Sequence, residues 1–180
     1  MNEIVIPRNT LIVLCGPAAC GKSTWAANHF SPTQIVSSDD CRARIADDPG
    51  DQSISHHAFD LMYYILEKRL MLGRLAVADA TNLRREHRST LRRIATRFQF
   101  NTAVIAFHIP LETCLKRNAA RERKVPEEAL LSQYDLLEET LGTIQNERFT
   151  YVHLLDEATQ SQKLVRIGAP VNQQLPPPAL

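Results

Sequence analysis

The sequence predicts an α/β fold with a parallel sheet flanked by helices, and three observations carry that expectation. Short apolar, β-branched runs alternate along the chain with longer segments of helical periodicity. The first such run, Leu11-Ile12-Val13-Leu14-Cys15, leads straight into Gly16-Pro17-Ala18-Ala19-Cys20-Gly21-Lys22-Ser23-Thr24, which fits the phosphate-loop pattern G-x-x-x-x-G-K-[ST]. Two later runs end on the carboxylates Asp39 and Asp79, at the strand ends where an open parallel sheet places its ligands.

Taken in order, the elements follow from local chemistry. Leu11–Cys15 reads as a buried strand, and Ser23–Phe30 continues the loop as a helix. Ser31-Pro32 breaks it, and Gln34–Ser38 reads as a second strand. Residues 47–54 hold Asp, Pro, Gly and Ser and form a loop. Phe59, Met62, Ile65, Leu66 and Leu70 recur at helical spacing, so a long helix is expected from Ser55 to Leu72, stopped by Gly73. On it Tyr63 and Tyr64 read as packing aromatics. Leu75–Asp79 is a third strand, and 84–98 an arginine-rich amphipathic helix whose basic face is solvated or touches polyanion. Thr102–His108 is a fourth strand, stopped by Pro110. Leu111–Arg123 is a helix ended by Lys124-Val125-Pro126, Glu127–Asn146 another, and Tyr151–Leu155 the fifth strand. A domain over 1–167 with an extended Pro-rich tail or linker over 168–180 is the expected organisation.

Composition narrows the class. A chain of 180 residues, 44% hydrophobic and 23% charged, suits one globular domain with a core. Its net charge of +1 provides no global basic field, so any polyanion has to be held by a local cluster. Cys15, Cys20, Cys41 and Cys114 form no C-x-x-C pair and read as reduced thiols of a cytoplasmic protein. Neither a signal peptide nor a membrane-spanning run is expected.

The phosphate loop implies a nucleoside triphosphate. Gly16 and Gly21 permit close backbone approach, and the loop N–H groups ahead of a helix N-terminus converge on phosphate oxygens. Lys22 is expected on the β- and γ-phosphates and the Ser23 hydroxyl on Mg²⁺. A kinase acting on an alcohol needs a carboxylate beside the attacking hydroxyl, and Asp39 is the candidate. Arg42, three residues on, is placed to grip an acceptor phosphate. Asp39 also suits the cap of a helix beginning at Asp40. Asp79 either holds Mg²⁺ through water or forms the strand-end turn. Arg117, Arg121, Arg123 and Lys124 read as a cationic cluster on one helix, either a lid over the phosphates or a solvated face.

In order and spacing, the phosphate loop, Ser38-Asp39-x-Cys41-Arg42, Asp47-Asp48 through Gln52, Asp79-Ala80-Thr81-Asn82 and Arg117-Asn118-x-x-Arg121 resemble the polynucleotide 5′-kinase family. The likeness runs from about Leu11 to Leu155 and is strongest to the kinase module of bacterial polynucleotide kinase-phosphatases, which act in RNA end healing. It implies a P-loop NTPase of adenylate-kinase-like architecture, a five-stranded parallel sheet with a helical lid. It implies transfer of the ATP γ-phosphate, or that of another nucleoside triphosphate, to the 5′-OH end of RNA or DNA. By this resemblance Asp39 is the general base, and Arg42 grips the phosphate 3′ of the acceptor nucleoside. Residues 16–24 serve ATP and Mg²⁺, Arg117 and Arg121 are lid clamps, and Gln52, Thr81 and Asn82 line the acceptor side. Lys124 stands where the family pattern carries a third lid arginine, with Arg123 one place earlier, and either is a candidate for phosphate. A fused or separate phosphatase or ligase module is an implied partner. The alternatives are a small-molecule kinase for a sugar, nucleoside or antibiotic, and a non-catalytic ATP-binding switch.

Overall fold

A computed structural model describes residues 3–161 and 164–171. Its main sheet consists of β2 (Thr10–Cys15), β3 (Ile35–Ser37), β4 (Ala76–Asp79), β5 (Asn101–Phe107) and β6 (Tyr151–Leu155). All pairings are parallel, in the order β3-β4-β2-β5-β6. β2 is central because both its faces are covered. Leu11, Val13 and Cys15 join one buried cluster and Ile12 and Leu14 the other, as the two-residue period of a strand requires. That is why the strand reads as an unbroken apolar run rather than an alternation.

The first cluster lies under α3 (Ser55–Met71), α4 (Arg85–Arg97) and α6 (Glu127–Thr143), through residues such as Met62, Leu66, Leu91 and Leu137. The second lies under α1 (Lys22–His29) and α5 (Leu111–Ala119), where Trp25 packs edge-on against Phe30 and Phe107. The expected five-stranded parallel sheet flanked by helices is therefore the observed one.

Three expectations are corrected. The helix after β3 is α2 (Ser38–Ala46), and its cap is Ser37, whose hydroxyl accepts from the N–H groups of Asp39 and Asp40. Asp39 is thus freed from capping. The helix from Leu111 ends at Ala119, not Arg123. Its stop is the Asn118 carboxamide, which exchanges two hydrogen bonds with the Val125 backbone at 2.8 and 3.0 Å and closes 119–125 into a loop. Finally, β1 (Glu3–Pro7) and β7 (Leu164–Gly168), absent from the sequence reading, pair in parallel as a second, two-stranded sheet. β1 puts Ile4 and Ile6 into the second cluster.

The start of the expected tail is tied down: Asn9 exchanges two hydrogen bonds with the Val171 backbone, at 2.9 and 3.0 Å. The rest of that tail, 172–180, lies outside the described residues.

The arginine-rich helix α4 hides one of its arginines. Arg88 is 1% exposed and makes a two-pronged pair with Glu147, at 2.9 and 2.5 Å. It also donates to the Asn82 and Leu83 carbonyls at 2.9 and 2.7 Å and to the Thr140 hydroxyl at 3.3 Å. Arg88 is therefore unavailable to a polyanion. Removing one partner of such a pair leaves a buried charge unmatched, so Arg88→Met is expected to lower unfolding stability by about 3–5 kcal/mol, measured by urea denaturation. A loss below about 1 kcal/mol contradicts the assigned role.

Candidate active site

The three strand-tip segments do converge. Gly16 donates its N–H to the Thr81 carbonyl at 2.9 Å, and the Asn82 side chain donates to the Leu14 carbonyl at 2.8 Å. The loop after β4 is thereby fastened to the end of β2. Asn82 is fully buried and contributes no side chain to the cavity, so its role is that of a brace rather than an acceptor contact. A buried amide aimed at backbone carbonyls satisfies groups that the strand ends leave open. Thr81 does line the cavity.

That cavity, about 1000 Å³, lies at the carboxyl ends of the strands. One side carries Ala18, Ala19, Gly21, Lys22, Ser23 and Thr24. Gly21 has φ +98°, a backbone conformation in which any side chain is strained, so the turn favours glycine. Lys22 Nζ donates to the Pro17 carbonyl at 2.6 Å, and Cys20 Sγ lies 3.6 Å from it. Cys20 is fully buried and packs in the second cluster. Burial also pushes the Cys15 thiol up to about 12 and Cys114 up to about 11, so neither is a thiolate near neutrality.

Asp79 is 6% exposed, with Lys22 and the Ser23 hydroxyl beside it. Burial raises its pKa, and these two neighbours oppose the shift only in part. A buried carboxylate next to a hydroxyl forms a pair of hard oxygen donors. That pair suits Mg²⁺, which takes one or two protein ligands and completes its shell with phosphates and water.

The opposite side carries Asp39 and Arg42. Arg42, 6% exposed, donates to Asp39 Oδ1 at 2.5 Å and to the Ser55 hydroxyl at 3.4 Å. The i, i+3 spacing in α2 accounts for this. Arg123 reaches Asp39 Oδ2 from the 119–125 loop and lies against Gly50. One carboxylate thus holds two guanidiniums from two different segments.

The remaining cationic residues separate. Arg121, Arg123 and Lys124 line the cavity from the loop, not from a shared helix face with Arg117. Arg117 lies against the phosphate loop, donating to the Cys20 carbonyl at 3.1 Å and to Gln160 Oε1 at 3.4 Å. Gln52 lines the cavity beside Gly50 and Ser55. Two residues that sequence reasoning passed over belong to the site. Gln133 of α6 accepts the Ala18 N–H at 2.7 Å, and Gln160 donates to the Cys20 carbonyl at 2.8 Å. Neutral amides at ordinary helix and turn positions carry no pattern that would have marked either.

The family model described as an AAA domain, AAA_33, matches residues 11–140. No curated protein matches the sequence. Among solved structures, a gluconokinase from Sinorhizobium meliloti 1021 is similar at 18% identity and TM-score 0.55, covering 84% of this chain and 85% of that one. The Pnkp1/Rnl/Hen1 RNA repair complex is similar at 20% identity and TM-score 0.65, with 79% of this chain on 47% of that one. The AvrRxo1-ORF1:-ORF2 complex is similar at 16% identity and TM-score 0.66, with 84% of this chain on 55% of that one. At these identities the likeness is one of fold. No helix among the described residues is long and apolar enough to cross a membrane.

The Asp79 geometry generates a sign-definite expectation. A carboxyl held above its ordinary value near 3.8 binds its proton more tightly folded than unfolded. Its contribution to stability is therefore present at low pH and is lost as pH rises from that value toward the raised folded one. Asp79→Asn, without ligands, is expected to unfold at the wild-type temperature or above at neutral pH, with a shallower fall in stability from pH 4 upward, measured by scanning calorimetry. A lower unfolding temperature at neutral pH contradicts this.

Proposed function

We propose that this chain, which belongs to the AAA_33 family of AAA domains, is an ATP-dependent kinase that phosphorylates the 5′-hydroxyl end of RNA or DNA. One observation carries the reading. A carboxylate paired with a nearly buried arginine, Asp39 and Arg42, shares one cavity with Lys22, Ser23 and the phosphate loop.

On this reading the loop N–H groups and Lys22 hold the β- and γ-phosphates. Mg²⁺ would be held by the Ser23 hydroxyl and, through water, by Asp79, and it supplies neutralisation of charge on the phosphate oxygens. Arg42 occupies Asp39 Oδ1, so Oδ2 is the atom that takes the proton of the attacking hydroxyl. Arg123 pairs with Oδ2 and has to leave it for the hydroxyl to approach. From the cavity wall it then serves the developing negative charge of the transferred group, where an arginine contributes most. Arg121 and Lys124 approach the same space from the loop. Arg117 lies against the phosphate loop, and rotation from the Cys20 carbonyl onto phosphate gives it the clamp role the resemblance implies. The likeness to an RNA repair complex is compatible with this acceptor and with a phosphatase or ligase partner.

A second reading has an observation of its own. Asp60, Glu86 and Gln52 also line the cavity and suit the hydroxyls of a small polyol. The likeness to a gluconokinase is compatible with it.

The discriminating experiment supplies Mg²⁺, γ-labelled ATP and either 5′-OH single-stranded RNA or a panel of sugars and nucleosides. Label is expected on the 5′-OH strand and not on its 5′-phosphorylated form. Label on a metabolite with none on the strand establishes the second reading instead. In the same assay Asp39→Asn is expected to lower kcat by about 10²–10⁴ and Lys22→Ala to abolish turnover. Arg42→Ala is expected mainly to raise KM for the strand. An Asp39→Asn enzyme of wild-type kcat rules out the proton-acceptor role.

A further inference from the structure

The acceptor side of the cavity continues well beyond Asp39. Arg42 bonds to Ser55, which opens α3. From there Ser55, His56, Phe59, Asp60 and Tyr63 line the cavity, positions that spiral along one face of the helix. At ~1.5 Å per residue, Ser55 to Tyr63 spans about 12 Å, a length no single sugar ring fills. His87 of α4 joins them, its ring centroid 4.2 Å from that of Phe59, and Phe59 lies 5.8 Å from Tyr63. Burial lowers the His87 pKa, so its ring is neutral near pH 7. Packing accounts for part of this cluster, because Phe59 and Tyr63 rest on the core below. Packing alone leaves unexplained why Phe59, with Tyr63 and His87 each tilted against it at 47° and 53°, borders the cavity together with both of them. Tyr64, the next residue on the same helix, is exposed instead and carries Lys68 over its ring.

We propose that Phe59, Tyr63 and His87 form a stacking wall for the terminal base of the acceptor strand, a specificity element that rests on the kinase reading above. Flat rings offer a π-face that any base can use, and hydrogen-bond readout is not required. The wall runs away from Arg42, so the ribose sits at Asp39, its 3′ phosphate at Arg42, and the base on the rings. The enzyme then tolerates any base at the end but requires one.

The test compares kcat/KM for two 5′-OH strands of the same length, one with an ordinary terminal nucleotide and one with an abasic terminal nucleotide. Wild-type enzyme is expected to favour the base-bearing end by about tenfold or more. In Phe59→Leu, which keeps apolar bulk under the wall, and in His87→Ala the ratio is expected to fall toward one. Equal rates on the two ends in wild-type enzyme overturn the wall while leaving the kinase reading intact. A preference that survives in both variants also overturns it. Failure of both strands to accept phosphate overturns the kinase reading and the wall with it.

Discussion

The site depends on one buried guanidinium. Arg88 ties Glu147 and Thr140 to the carbonyls of Asn82 and Leu83. Asn82 in turn fastens the β4 loop to the end of β2 through Leu14. Beside this network, the Gly16 N–H and the weak Cys15 thiol donor hold the loop carrying Thr81 against the phosphate loop. The strand ends leave several backbone acceptors away from water, and one arginine with five donors satisfies more of them than any neutral side chain. The penalty for burying its charge is offset by Glu147, itself 3% exposed.

At the mouth of the cavity the balance is different. Asp39 and Arg123 are both substantially exposed, so their pairing is held weakly against water and against phosphate. Arg42 is nearly buried and stays fixed to the same carboxylate. Rigid on one oxygen and exchangeable on the other, Asp39 suits a group that first holds the 119–125 loop near the mouth and then receives a hydroxyl. The closure of that loop by Asn118 and Val125 sets how far the cations can swing.

Much of this was legible in the amino-acid order. The central strands show because a sheet covered on both faces demands apolar runs, and the phosphate loop shows because its chemistry fixes glycine and lysine spacing. Asp39 and Arg42 show because a strand tip followed by a helix turn puts them together. What stayed hidden depends on contacts distant in sequence. β1 alternates in exposure from Glu3 to Ile6 and finds its partner, β7, about 160 residues away. Arg88 reads as one more surface arginine until Glu147 is beside it. The cationic cluster was expected on a helix because its spacing permits one, and the amide of Asn118 bends the chain instead.

In the proposed kinase, Asp39 faces the attacking hydroxyl across the transferred phosphate. A crystal structure with a non-hydrolysable ATP analogue, Mg²⁺ and a 5′-OH oligonucleotide measures it directly. The terminal 5′ oxygen is expected about 2.6–3.2 Å from Asp39 Oδ2, in line with the γ-phosphorus, with Arg123 moved from the carboxylate onto phosphate. An acceptor end bound away from Asp39, with the Asp39–Arg123 pair still closed, contradicts it.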